Sequence, residues 1–298
     1  MQIQLLTDKK KVLYELEQSE LFPDYRSVLC EAIALNIDLT DLCVELETIN
    51  EVIWKGINLK GIFFKNCSMR KNEFIECNLK YVSINNCDFQ SSKFKKSTII
   101  NFYITNTNSL AMSFKNCTLN DGLFLSCNLG KTNFYNCKSD HVSFNSTNLT
   151  ETFFKDCEIT SGSFIHDKTN TEWMMNTYFV DCNLSEIEMR DIQDVSSLYF
   201  WETNVHEIKF MGDQQFTEVI NDRSKVLYAV DSDVVWWKPY SWDDDERRIF
   251  RGTLKEFADE VRNEFPTTDL YPSMMDYEIE NELLRVCLYL ESWNGPIG

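Results

Sequence analysis

Between residues 54 and 189 a large apolar side chain returns every five residues, from Trp54, Leu59, Phe64, Met69 and Phe74 to Phe179, Leu184 and Met189. Of the 28 positions in this series 25 are apolar, where a chain that is 43% hydrophobic gives about 12 by chance. The exceptions are Ser109, Ser139 and Thr169. Two residues ahead of each centre runs a second register of mostly small side chains. It holds Cys67, Cys77, Cys87, Cys117, Cys127, Cys137, Cys157 and Cys182, with Ser, Thr, Gly and Val at twelve further positions. A large and a small residue two apart, repeated every five, match neither the 3.6-residue period of a helix nor the two-residue period of a flat strand. They match a chain that turns a corner every five residues and points both registers inward.

The segments Cys127-Asn128-Leu129-Gly130-Lys131, Thr147-Asn148-Leu149-Thr150-Glu151 and Cys182-Asn183-Leu184-Ser185-Glu186 make the unit explicit. This unit resembles the pentapeptide-repeat family, whose consensus is roughly small-Asn/Asp-Leu/Phe-x-x, over residues 52–191. The resemblance implies a mainly β fold, a right-handed quadrilateral β-helix with four pentapeptides per coil. The 28 repeats then make seven coils, and at ~4.8 Å between coils the rod is roughly 30 Å long. Four faces put Phe74, Phe94, Phe114, Phe134 and Phe154 opposite Phe64, Phe124, Phe144 and Phe164, with Leu79, Ile99, Leu119 and Ile159 between them. From His166 to Asn176 the small register fails at Asp167 and Glu172, which predicts a local excursion covered by Trp173 and Met174.

The flanks read differently. Residues 1–51 are expected to form a helical cap, because an open solenoid end needs covering. Thr7 or Asp8 caps one helix through Val12, Leu13 and Leu16, and Pro23 opens another through Val28, Leu29, Ala32 and Leu35. Residues 201–298 are expected to form an acidic α+β domain. Lys225–Val230 and Asp233–Trp237 read as strands, and Thr253-Leu-Lys-Glu256 is a capping box ahead of Leu254, Phe257, Ala258, Val261 and Phe265. A second helix is expected through Ile279, Leu283, Val286, Cys287 and Leu290.

Cysteine, histidine and acidic residues then decide the chemistry. The cysteines form no C-x-x-C pair and repeat in phase with the fold, so they read as buried packing residues rather than zinc ligands or redox centres. His141, His166 and His206 lie at no metal-ligand spacing and read as surface residues. Asp231, Asp233 and Asp243–Glu246 lack the glycine and distal glutamate of a calcium loop and read as solvated acidic segments. No phosphate-binding loop, dinucleotide fingerprint or nucleophile elbow is present, so no catalytic residue, metal or cofactor is expected. Some bacterial effectors join a similar β-helix to a ubiquitin ligase with a catalytic cysteine. Cys287, in an apolar helical stripe beside Arg285, reads as a buried thiol instead.

Charge separates the segments. Residues 1–56 carry a net −6, residues 57–200 a net −1 and residues 201–298 a net −11, within a total of −18. Surplus acid argues against a nucleic-acid backbone or an anionic membrane as partner. No apolar run approaches the ~20 residues of a membrane span, and the N-terminal lysines follow the apolar residues rather than precede them, so a cytoplasmic location is expected. Several pentapeptide-repeat proteins resemble duplex DNA in shape and charge and act on DNA gyrase. Here the near-neutral rod lacks that field, and any mimicry falls to the acidic C-terminal segment.

Trp236, Trp237, Tyr240 and Trp242, next to Asp243, Asp244, Asp245 and Glu246, have the composition of an aromatic anchor with a charged rim. A stripe of Lys95, Lys115, Tyr135 and Lys155 on one rod face reads first as solvated lysines and second as a dock for acidic groups. The expected function is a non-enzymatic interaction scaffold for a protein with a basic surface, in its most concrete form a protector or inhibitor of a topoisomerase. The alternatives are a toxin-immunity or effector protein binding one target, suggested by the strand-turn-helix pattern from Val226 to Phe265, and the ligase-like effector. A homodimer is compatible with each.

Overall fold

The computed structural model describes residues 1–166, 174–192, 198–201, 203, 208–211, 216–220, 224–229, 234–239 and 250–264. Its central part is the expected solenoid, with about seven coils over the repeat region. Strands of three to eight residues stack in parallel and in register, so Lys93–Lys95 pairs with Glu73–Ile75 below and Ser113–Lys115 above. The chain can turn so often because every fifth residue from Asp41 to Ser161 adopts positive φ, near 47–68°. Asn and Asp, which tolerate the left-handed region best after Gly, fill many of these corners, among them Asn66, Asn86, Asn106, Asn116, Asn136 and Asp156.

Both registers point inward. Trp54, Phe74, Phe94, Phe114, Phe134, Phe154, Phe179 and Phe200 form one continuous ring column, with successive centroids 4.5–5.4 Å apart. Phe124, Phe144 and Phe164 form a second column, 5.1 and 4.9 Å apart. The two columns meet edge to face, as in Phe134–Phe144 at 6.3 Å and 86°. Stacked rings along the rod and T-shaped contacts across it are the two favourable aromatic geometries, and the square interior uses both.

The small register does more than save space. Its Cys, Ser and Thr side chains donate to the carbonyl of the large residue one coil earlier. Cys77 Sγ reaches the Trp54 carbonyl at 3.2 Å, Ser92 Oγ that of Met69 at 2.9 Å, Thr152 Oγ1 that of Leu129 at 2.9 Å, and Thr203 Oγ1 that of Phe179 at 2.9 Å. These carbonyls face the interior, where an unmade hydrogen bond is expensive. Burial pushes the Cys127 thiol up to about 11, so it stays protonated and able to donate to Ile104. All ten described cysteines are free thiols. Thr147 serves the Phe124 and Asn145 carbonyls, both at 3.1 Å, from a fully buried site. Thr147→Val keeps the shape and removes the donor, and is expected to cost about 1–3 kcal/mol of stability. Urea unfolding measures this, and a loss near zero contradicts the donor role.

The boundaries differ from the sequence-based expectation in three ways. First, the N-terminal segment contains one of the two expected helices. Helix α1 (Tyr25–Ala34) begins at Asp24, which accepts the Ser27 amide at 2.8 Å, and it buries Val28, Leu29 and Ala32. The expected helix through Leu13 and Leu16 is instead a hairpin of β1 (Gln2–Thr7) and β2 (Val12–Glu17). β1 pairs antiparallel with Leu42 and Cys43, and Leu42–Glu45 pairs in parallel with the first full coil, so the hairpin continues the solenoid sheet. Second, the coil from Phe154 to Phe179 has 25 residues instead of 20. The five additional residues lie between Phe164 and Met174, where Asp167, Glu172 and Trp173 fall outside the described residues, and Met174, only 2% exposed, takes the place of Leu149 one coil later. Third, parallel pairing continues past residue 191. Leu198–Trp201 stacks on Thr177–Val180, and Lys209–Met211 stacks on Glu188–Arg190, through a coil of 21 residues.

Beyond the solenoid, Phe216–Ile220, Ser224–Ala229, Val234–Pro239 and Phe250–Gly252 form a four-stranded antiparallel sheet in sequence order. Helix α2 (Leu254–Glu264) follows, opened by the expected capping box: the Thr253 amide donates to Glu256 Oε2 at 2.8 Å and the Glu256 amide to Thr253 Oγ1 at 3.2 Å. Its buried face is Leu254, Phe257, Ala258 and Val261. The expected helix at Ile279–Leu290, including Cys287, lies outside the described residues.

Candidate functional site

The sequence places the candidate anchor at Trp236–Glu246. Trp236 and Trp237 lie in the strand Val234–Pro239, between Ser224–Ala229 on one side and Phe250–Gly252 on the other. Trp236 is in register with Leu227 and Arg251, and Trp237 with Val226 and Phe250. Tyr240, Trp242, Asp243, Asp244, Asp245 and Glu246 lie outside the described residues.

This sheet sits against the last coil. Val234 joins the hydrophobic cluster of the rod, and the Arg251 guanidinium lies 4.5 Å from the centre of the Tyr199 ring. Tyr199 stacks on Tyr178 at 4.7 Å, and Tyr178 meets Phe153 at 5.7 Å, so a short aromatic ladder on the outside of the rod ends under a cation. A guanidinium over a tyrosine face keeps favourable electrostatics without a carboxylate partner.

The lysine stripe on the same rod face is engaged within the rod. Glu73 holds Lys93 at 3.1 Å and Lys95 at 3.3 Å, Lys155 lies 3.7 Å from Asp181, and Lys115 sits over the Tyr135 ring at 5.1 Å. The Lys93 ammonium, then Lys95, holds the Glu73 carboxyl below its usual range. Similar pairs join Lys71 to Glu51, Arg70 to Asp88, Lys96 to Glu76, Lys131 to Glu151 and Lys138 to Glu158. Exposed pairs of this kind add little stability, but they cancel the long-range field of the rod locally.

Among the described residues, no group of three His, Cys, Asp or Glu side chains could hold a metal ion. His141 is exposed beside Asp140, 3.0 Å away. His166 corrects the surface reading: it is 5% exposed, at the corner where the chain leaves the regular coil, and its amide donates to the Arg190 carbonyl at 3.0 Å. His206 and the Asp231–Asp233 pair lie outside the described residues.

One surface escaped the sequence reading. On the outside of the Phe64 face, Tyr103 and Leu125 are 60% and 37% exposed, with Tyr81, 53% exposed, at the corner that leads into it. At its N-terminal end the hairpin tip overhangs this face, making a cleft of about 730 Å³ between Asp8, Lys11, Leu13 and Asp38 on one side and Phe63 and Tyr81 on the other. The signal was present in the sequence, as apolar residues at outward positions beside the centres at Ile104 and Phe124, but only the coil register brings them together. Among the described residues no helix is long and apolar enough to cross a membrane.

The family model for the pentapeptide repeat region matches residues 81–154. No curated protein matches the chain by sequence. Among solved structures, the chain is similar to QnrB1 in a trypsin-treated form, a plasmid-mediated fluoroquinolone resistance protein, at 15% identity and a TM-score of 0.34, covering 56% of this chain and 83% of that one. It is also similar to HetL, a pentapeptide-repeat protein involved in heterocyst differentiation regulation in the cyanobacterium Nostoc, at 8% identity and a TM-score of 0.21, covering 61% and 93%. With the five-residue period, the left-handed corners and the in-register parallel stack, the family match identifies the repeat region as a pentapeptide-repeat β-helix.

Proposed function

We propose that the chain is a non-catalytic interaction scaffold whose protein partner carries a basic surface and is steered by the acidic C-terminal region. The observation that carries this reading is the partition of charge. The rod pairs its ions coil to coil and nets −1 over residues 57–200, while residues 201–298 net −11. A basic partner is therefore attracted to one end of the molecule rather than along its length. The run Asp243–Glu246 supplies the rim of that end, and Trp236, Trp237, Tyr240 and Trp242 supply apolar contact once encounter has occurred. The most concrete partner is a DNA-handling enzyme such as a topoisomerase, whose substrate-binding surface is basic because DNA is anionic. On this reading the protein works in the cytoplasm and needs no cofactor.

Capture with the full chain as bait in the native cell, followed by a supercoiling assay, tests the proposal. A topoisomerase subunit among the prey, with its supercoiling altered by the added protein, is the expected result. A toxin encoded nearby as the dominant prey would favour the immunity reading. A ubiquitin thioester that disappears in Cys287→Ser would overturn the non-catalytic one.

A further inference from the structure

Among the described residues both end coils of the rod are covered, so neither offers an open edge onto which the coils of a second rod could stack. The β1–β2 hairpin and α1 cover the first coil, where Arg26 Nε donates to the Asn50 carbonyl at 2.6 Å, and the C-terminal sheet packs on the last through Val234 and Arg251. Contact between two rods therefore falls on their flanks, which differ in charge. Over six coils, the twelve outward strand positions on the Phe64 flank, from Phe63 to Ile165, include one charged residue, Lys65. The matching twelve positions on the Trp54 flank include six, and those on the Leu59 flank include five. The Met69 flank is also poor in charge, but amides line it: Asn128 donates to Asn108 at 3.4 Å and Asn148 to Asn128 at 3.3 Å.

The Phe64 flank alone combines missing charge with exposed apolar side chains. Tyr103 and Thr105 are in register with Leu123 and Leu125, so these four sit on one flat rung pair, bounded by Ser83, Asn85, Ser143 and Asn145 in the adjoining coils. An apolar centre with an uncharged polar rim, on a flat parallel sheet that no other described element covers beyond the hairpin tip at its N-terminal end, is a surface built for contact.

We propose that this flank is a self-association surface on which a second copy packs face to face about a two-fold axis. The charge map selects that occupant. A chain of net −18 repels its own copies, and beyond the charged hairpin tip this is the flank on which two of them can approach without opposing like charges or stripping paired ones. A basic partner gains nothing there, because there is no acid to meet it. Four strand residues across and the four coils beyond the hairpin tip give roughly 13 Å by 19 Å, or about 250 Å² per copy, well below the ~800 Å² of a standard interface. The dimer is accordingly weak and reversible, with dissociation in the micromolar range or above. Its salt dependence has a definite sign. No ion pairs cross the flank and the remaining charge is repulsive, so added salt strengthens the dimer, whereas it weakens the steered association of the acidic end with a basic partner.

Sedimentation velocity on the full chain, over a concentration series at low and high salt, tests this. The expected result is a weight-average mass that rises with concentration, and rises further at high salt. Tyr103→Lys and Leu125→Lys should each weaken the dimer by about tenfold or more, while Tyr135→Lys, outward on the opposite flank, leaves it unchanged. Thr105→Lys replaces either variant if its thermal midpoint falls. A monomer under every condition overturns the proposal, as does a dimer that both flank variants leave intact or that Tyr135→Lys disrupts. Neither result touches the C-terminal reading, which predicts the opposite response to salt.

Discussion

Replacing Phe114 by alanine is expected to lower the unfolding free energy by about 3–5 kcal/mol. The ring is fully buried and stacks between Phe94 at 4.9 Å and Phe134 at 4.7 Å, with interplanar angles of 8° and 2°. Its removal leaves a ring-sized void in the middle of an eight-ring column. The walls cannot collapse into it, because parallel hydrogen bonds hold each strand at a fixed spacing from the coils above and below. The same substitution at Phe200 should cost less. That ring is 5% exposed and stacks on Phe179 at 5.3 Å in the last rung of the column. Urea unfolding of both variants measures the contrast, and equal losses would mean that the column does not act as a continuous stack.

The second large effect concerns a pair that departs from the repeat. Phe102 occupies a small-register position, and Gly122 sits at the same position one coil later, in register with it. The ring fills the room that glycine leaves: a Cβ on Gly122 would lie 2.1 Å from two Phe102 ring carbons. Phe102 is fully buried and meets Phe124 edge to face at 5.2 Å. Elsewhere in a strand, Gly→Ala gains about 0.5–1 kcal/mol through reduced chain entropy. Here the sign reverses, and Gly122→Ala is expected to cost about 1–3 kcal/mol through overpacking. Phe102→Val makes room, so Gly122→Ala in that background should cost little or gain. A double-mutant cycle should therefore give a coupling of about 0.5–3 kcal/mol. Additive losses would show that the two sites do not share one space.

These two cases show what the sequence makes legible. The central coils were readable because one five-residue unit encodes a strand, a corner and an inward pair, and local spacing carries all of it. The coil ends were not, since they depend on pairing between distant segments. Leu39, Val44 and Ile49 continue the large series, but Glu47 breaks the small register, and the pairing of Leu42–Glu45 with Phe63–Lys65 is invisible locally. Val12, Leu13 and Leu16 have helical spacing, yet β1 offers them an antiparallel partner, and pairing overrides propensity. The 25-residue coil kept the period of five, so only Asp167 and Glu172 betrayed it. In the 21-residue coil, one extra residue shifted Leu198, Phe200 and Phe210 out of phase with the series. The cysteines, read as filler, also serve as donors, a role that spacing cannot reveal because the acceptor lies 23 residues earlier in regular coils.

For the candidate site, composition located the aromatic and acidic segment, and the structure adds the strand pairing of Trp236 and Trp237 and the seat of Arg251 on the rod. The lysine stripe, which spacing alone offered as a second surface, is occupied by Glu73, Asp181 and Tyr135.

The central claim, that a basic protein partner is steered by the acidic end while the rod stays electrostatically silent, is tested most directly by association kinetics. The captured partner is immobilised and the association rate of the full chain is followed against ionic strength. Replacing Asp243, Asp244, Asp245 and Glu246 by their amides should slow association and flatten its dependence on salt. Replacing Lys95, Lys115 and Lys155 by glutamine should leave both unchanged. A salt dependence that survives loss of the acidic run and vanishes with the three lysines would contradict the account.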